Sequence, residues 1–252
     1  MQLLKSSHVP EWYRIPHVHT NYRVMGGGWT ITKSLFTWHN ETLSIWSMIF
    51  VNIASLLCLL YVLIVIKPTG YNALLPFVLL YASSLIHLPF SVGYHCFRPT
   101  SNEICKKWFK LDFSFIFFGI TILIFTMCYF VLPFPATVLT TIIAAIIAIY
   151  AFHSVQQVTE IQKKKNAILV ALITSLLLVP LIFQTIARSD MFALAITIGI
   201  ASSLVIGAFV YSTSILNKFT PTFDLSHTIM HITVLIAHIL EYAFIAHCYK
   251  TN

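Results

Sequence analysis

Apolar and polar positions in this chain come in long blocks, not in the short alternation of a soluble helix or strand. Residues 42–66, 68–97, 113–159, 166–187 and 191–217 contain no Asp, Glu, Lys or Arg. One helix needs about 20 apolar residues to cross the hydrocarbon core of a bilayer. The block 113–159 is long enough for two, and "PFP", from Pro133 to Pro135, divides it. A last apolar stretch runs from Ser226 to Tyr249 and carries a single acid, Glu241. The pattern predicts seven helices, near 42–66, 74–97, 111–132, 136–154, 166–187, 191–216 and 226–249. The fold class expected is all-α, a seven-transmembrane helix bundle. Residues 1–41 form an N-terminal segment and 42–252 the transmembrane domain.

Composition agrees. The 252 residues are 58% hydrophobic and 9% charged, against about 25% charged in a soluble domain, so a water-solvated surface is excluded. The five cysteines show no CxxC and no paired framework. The opening "MQLLKSSHVPEWYRIPH" lacks the apolar core of a cleaved signal peptide, so the first span is expected to act as its own anchor. "GGG" at 26–28 reads as a hinge before an amphipathic lead-in whose Trp29, Phe36 and Trp38 suit the membrane interface.

The net charge of +7 gains meaning from its placement. With seven spans, one side holds Lys5, Arg14, Arg23, Lys33, Arg98, Lys106, Lys107, Lys110, Lys163, Lys164, Lys165 and Lys218. The other side holds Lys67, Arg188 and Lys250. Twelve against three accounts for all fifteen cations and follows the positive-inside bias. The N-terminus is therefore expected in the cytoplasm and the C-terminus outside, with the basic loops facing anionic lipid and no nucleic acid. The sequon "NET" at Asn40 would then lie inside and unmodified.

Candidate chemistry follows from this threading. Ionisable residues inside spans are costly in hydrocarbon and mark function. His95 closes the second span, Asp112 opens the third, and His227 and His231 open the seventh, so four metal-competent residues from three helices share one membrane depth. His227 and His231 are four apart and project from one helix face. Ser91 sits one turn before His95 on its face. A single membrane histidine usually bonds within the core, but this convergence favours a metal. Three imidazoles without a fourth protein ligand leave an open position, the mark of a catalytic zinc. "HTIMH" lacks the internal acid of HExxH, and Asp112 could supply the general base. His238 is read as lining a polar cavity through a core hydrogen bond, and His87, beside Pro89, similarly. His153 is read as a surface residue, Glu241 as reaching headgroups, and "KKK" at 163–165 as a solvated loop.

At these residues the chain resembles the progestin and adipoQ receptor family, which includes adiponectin receptors and haemolysin-III-like proteins. "SLFTWHNETLSIWS", "SVGYH" followed by the Asp of "KLDFS", "VPLIFQTI" and "FDLSHTIMH" are similar to its motifs. The resemblance implies Zn²⁺ on His95, His227 and His231, with Asp112 near the metal's open position and Ser91 behind it. It also implies seven helices with a cytoplasmic N-terminus, and kinship with alkaline ceramidases, hence amide hydrolysis of ceramide-like lipids. Three positions depart: Met48 where His is frequent, Ser44 where Asn is frequent, and Phe183 where adiponectin receptors carry His.

The expected function is a membrane receptor or lipid-metabolism protein with ceramidase-like activity. The alternative is a non-enzymatic receptor or membrane-homeostasis sensor whose zinc only staples helices 2 and 7. A transporter has less support, since no paired broken helices mark a midplane site. Short outer loops leave little surface for a protein hormone, and a ceramide-like lipid or a steroid entering laterally fits better.

Overall fold

The computed structural model describes residues 3–26, 32–157 and 163–251. Gly27, Gly28 and Trp29, on which the expected hinge and lead-in partly rest, lie outside the described residues. The elements are two-residue strands β1 (Leu3–Leu4) and β2 (Tyr22–Arg23), then helices α1 (Thr42–Tyr61), α2 (Tyr71–Leu85), α3 (Leu88–Phe97), α4 (Asn102–Cys128), α5 (Phe134–Gln157), α6 (Lys163–Ala187), α7 (Met191–Thr213) and α8 (Leu225–Thr251). Among the described residues, seven helices are long and apolar enough to cross a membrane, with α2 and α3 together forming the second. Only 22–44% of each apolar window is buried by the protein itself. Side chains such as Ile64, Phe183 and Val205 are more than 60% exposed, which hydrocarbon tolerates and water does not. The chain is a multi-pass integral membrane protein. Phe183, the position that departs from the adiponectin receptors, faces outward and not into a polar network.

Helix ends follow local chemistry. α1 ends in a π-helical turn, Val62–Ile66, where Lys67 at φ 53° returns its N–H to the Val62 carbonyl at 2.8 Å. The second span is interrupted after Ile86, just before Pro89, because proline lacks the N–H an unbroken helix needs. α4 starts nine residues earlier than the apolar pattern indicated. Ser101 Oγ accepts the Ile104 N–H at 3.2 Å as an N-cap, so the charged stretch with Glu103, Lys106, Lys107 and Lys110 continues the helix. "KKK" likewise opens α6, which corrects its reading as a loop.

The chain divides into two compact units. The first comprises Met1–Val51, Leu88–Asp112 and Ser203–Leu235. Its N-terminal segment is folded: β1 and β2 pair antiparallel around a core of Val9, Tyr13, Ile15, Val18 and Tyr22. Tyr22 Oη accepts the Ile15 N–H at 2.8 Å and donates to the Val18 carbonyl at 3.1 Å. Backbone bonds tie this segment to both ends of the unit: His19 N–H to Pro221 O at 2.7 Å, Asn40 N–H to Asn21 O at 2.9 Å, and Asp224 N–H to Asn40 O at 3.0 Å. Asn40 is fully buried, so its sequon is sterically shielded. Phe36 and Trp38 remain 79% and 68% exposed, as an interfacial role requires.

The second unit comprises Asn52–His87, Phe113–Ser202 and Ile236–Asn252. Gly119 permits a close approach there, since a Cβ would lie 2.9 Å from the Ser83 carbonyl. Asp190 Oδ1 accepts the Ala193 N–H at 3.0 Å and caps α7, while its Oδ2 meets His247 Nε2 at 2.8 Å. His153 is exposed, as expected. Glu241 is not at the headgroups: it is 3% exposed and bonded to His238, which corrects the expected placement.

Candidate metal centre

His95 lies in the last turn of α3 and α8 begins two residues before His227, so two helix ends meet within the first unit. The helical spacing of four puts His231 one turn beyond His227 on the same face. One ligand nitrogen from each of His95, His227 and His231 lies within 4.8 Å of the others, and all three residues are buried. Ring centroids are 4.6 Å apart for His95–His227 and His227–His231, and 5.8 Å for His95–His231. The structure thus brings together the three histidines expected as ligands.

The outer sides of His95 and His231 are held by hydrogen bonds. His95 Nδ1 donates to Glu41 Oε2. His231 Nδ1 lies 2.7 Å from Ser47 Oγ and 3.2 Å from the Ser44 carbonyl. The Ser47 proton goes to that same carbonyl at 2.8 Å, so its oxygen accepts and His231 carries the proton on Nδ1. His227 Nδ1 stands 3.7 Å from Asp224 Oδ2. With Nδ1 of His95 and of His231 bonded to oxygen, the Nε2 atoms of these two rings are left as acceptors, the arrangement that orients metal-bound imidazoles. His95 Nε2 is buried without a hydrogen-bond partner among the described residues. An orphaned buried ring nitrogen in a set of three converging imidazoles fits a zinc-type ion.

Buried charge points the same way. Within the first unit Arg23 and Arg98 are buried, and so are Glu41, Asp112 and Asp224, an excess of acids over cations that favours a bound cation. Burial alone would raise the Glu41 carboxyl, but Arg98 and then His95 outweigh it and hold it well below the usual range. Arg98 Nη1 reaches Glu41 Oε1 at 2.8 Å, and its Nη2 reaches the Arg14 carbonyl at 3.3 Å. Burial likewise opposes ionisation of Asp224, and the neighbouring His227 and Asn217 more than compensate, lowering it. Arg23 donates to the carbonyls of His95 and Cys96 and to Ser34 Oγ, closing the C-terminal end of α3, where cations are favoured. His39 is kept neutral, chiefly by burial and next by Arg23, with its pKa lowered to about 3. Its Nδ1 accepts the Glu41 N–H at 3.1 Å, which fixes the turn that carries Glu41.

Asp112 is 9% exposed on α4 and interacts electrostatically with His95, without joining the three-histidine cluster. Ser91 sits on α3, 1% exposed, with its hydroxyl unpartnered among the described residues. Ser44, which departs from the family pattern, bonds Thr228 Oγ1 at 3.2 Å, linking α1 to α8 beside the ligands. Met48, the other departure there, is a buried core residue.

Sequence reasoning missed Glu41, Ser47 and Asp224. Two of them left a signal: Asp224 is three residues before His227, and Glu41 is an isolated acid at the very start of an apolar block.

A seven-helix membrane protein with a buried tri-histidine centre is the class this geometry defines. The family model for haemolysin-III-related proteins matches residues 36–242, and the chain belongs to that family, which includes adiponectin-receptor-like proteins. No curated protein sequence matches it significantly.

Proposed function

We propose that this protein is a zinc-dependent lipid amide hydrolase of the ceramidase type, with its site on the cytosolic side of the membrane. The observation that carries the reading is the convergence of three buried imidazoles, two of which have an outer nitrogen bonded to oxygen. His95, His227 and His231 would hold the ion, which when bound supplies Lewis acidity toward an amide carbonyl and its attacking water. Asp112 would accept the proton of that water and pass it to the leaving amine. The Ser91 hydroxyl, unpartnered among the described residues, would donate to the carbonyl oxygen as charge develops there. The cytosolic placement is supported by the twelve-to-three distribution of Lys and Arg. At that depth a ceramide-like lipid can keep its amide near the headgroups with its chains among the helices.

The test is fatty-acid release from labelled ceramide in nanodiscs, comparing the parent protein, Asp112→Asn and a chelator-stripped sample. Asp112→Asn should keep its metal and lose about a hundredfold or more in rate, the usual scale for a general base. Equal background release from all three would refute the hydrolase and leave a receptor or sensor in which zinc only staples α3 to α8. That second reading draws on the bonds that tie the N-terminal segment to the same helix ends.

A further inference from the structure

The second unit holds a polar chain that the metal reading does not use. Ser55 Oγ lies 2.8 Å from His238 Nε2, and His238 Nδ1 lies 2.7 Å from Glu241 Oε2. Tyr242 Oη stands 3.4 Å from the same Ser55 Oγ. All four residues are at most 6% exposed. With Nδ1 turned to the Glu241 carboxyl, Nε2 is the ring nitrogen that faces the Ser55 hydroxyl, and in the tautomer protonated at Nδ1 it accepts from that hydroxyl. Helical serines and threonines here usually return their hydroxyls to their own helix, as Ser83, Ser84, Thr121 and Thr126 do. Ser55 instead turns its hydroxyl to an imidazole.

We propose that Ser55, His238 and Glu241 form a second, metal-independent nucleophilic centre that takes acyl groups from uncharged long-chain esters. A hydroxyl within reach of a base that is itself oriented by a third group is the general signature of an activated nucleophile. Depth sets the substrate class. Ser55 is thirteen residues into α1 and His238 thirteen into α8, each about 20 Å along its helix at ~1.5 Å per residue, near the middle of a hydrocarbon core ~30 Å thick. An ester with a charged headgroup does not place its carbonyl there, whereas a diacylglycerol-type ester can.

In the proposed step Ser55 Oγ bonds to the ester carbonyl carbon as its proton moves to His238 Nε2. The carbon–oxygen bond to the leaving alcohol then breaks, and that oxygen takes the proton from Nε2. The acyl group leaves Ser55 by the reverse sequence, on the hydroxyl of water or of a second lipid. Glu241 is a positioning residue that steadies the imidazolium, and Tyr242 Oη, 3.4 Å from Ser55 Oγ, would donate to the carbonyl oxygen as charge develops there.

The full chain in nanodiscs, treated with a long-chain alkyl fluorophosphonate and mapped by peptide mass spectrometry, tests this. Expected is one adduct, on Ser55, unaffected by chelation. His238→Gln should slow labelling about a hundredfold. Glu241→Gln should slow it about tenfold or more at an unchanged melting temperature, and Glu241→Asp should restore part of the rate. With labelled diacylglycerol, free acid or a newly acylated lipid alcohol would identify the acceptor as water or lipid. Absence of an adduct at Ser55, or equal labelling of the parent and a folded His238→Gln, would overturn the proposal. Loss of labelling on chelation would refute its independence from the metal.

Discussion

Glu41 carries two interactions at once, so its removal should register in two separate measurements. One carboxylate oxygen receives His95 Nδ1 and the other receives Arg98 Nη1 at 2.8 Å, with Glu41 itself fully buried. Glu41→Gln keeps a carbonyl oxygen for one of these donors but removes the charge. Loss of such a partner behind a metal-bound histidine typically weakens metal binding about 10–100-fold, or about 1.4–2.7 kcal/mol. Glu41→Ala goes further: it leaves Arg98, with 10% side-chain exposure, as a buried cation without its carboxylate, a defect of about 3–5 kcal/mol. The two variants should therefore separate. Glu41→Gln should lower zinc affinity, measured by competition with a chelator, and lose much of the zinc-dependent rise in melting temperature. Glu41→Ala should in addition melt lower even without metal. Arg98→Met in the Glu41→Ala background should recover part of that second loss, because the unpaired charge is gone. Parental zinc affinity in Glu41→Gln would refute the orienting role, and a metal-free melting temperature unchanged in Glu41→Ala would refute the charge argument.

Other outcomes follow from the same contacts. Gly93→Ala would place a methyl 2.1 Å from a Trp108 ring atom, and that ring stacks on Phe97 at 5.1 Å; overpacking of about 1–3 kcal/mol should appear as a lower melting temperature, and an unchanged one would count against the packing. Gly207→Ala meets Thr233 Oγ1 at 2.1 Å, so its defect should be relieved by Thr233→Ala in a double-mutant melting series. Asp190 is held below its ordinary pKa, first by the Ala193 N–H and also by His247. Its contribution is therefore complete above the unfolded aspartate value of about 3.9 and is lost as pH falls through the lower folded value. Melting curves over that acid range should show a parental loss that Asp190→Asn lacks. Tags at the two ends of the chain in intact cells should be reached by antibody only at the C-terminus; an accessible N-terminal tag would reverse the proposed orientation.

The spans were legible because hydrocarbon demands long uncharged blocks, and the blocks at 42–66 and 191–217 differ from their helices by only a few residues. The histidine cluster was legible for a related reason. Once the threading is fixed, the end of one helix and the beginning of another must share a depth, and the spacing from His227 to His231 does the rest. The N-terminal core around Tyr13 and Tyr22 was not legible, because its periodicity is broken by Pro10 and Pro16 and its order comes from contacts far along the chain. Glu241 was misplaced for a similar reason. Position along a helix gives depth, but only packing reveals whether a neighbouring imidazole turns an acid inward. The start of α4 was missed because hydrophobicity locates membrane, whereas Ser101 starts a helix wherever a cap is available.

Arg23 also bears on the timing of synthesis. Its guanidinium closes on the carbonyls of His95 and Cys96, and the segment around it is fastened to Pro221 and to Asn217. Residues near the start of the chain thus wait for partners some 200 positions later. At translation rates of about 5–20 residues per second, that interval is roughly 10–40 s. During it the N-terminal segment has emerged while the helix that carries His227 and His231 does not yet exist. A ribosome-stalled chain truncated before Pro221 should leave residues 3–26 open to protease, and release of the full chain should close them. The segment around Arg23 is made long before its partners and is among the last to reach its final position.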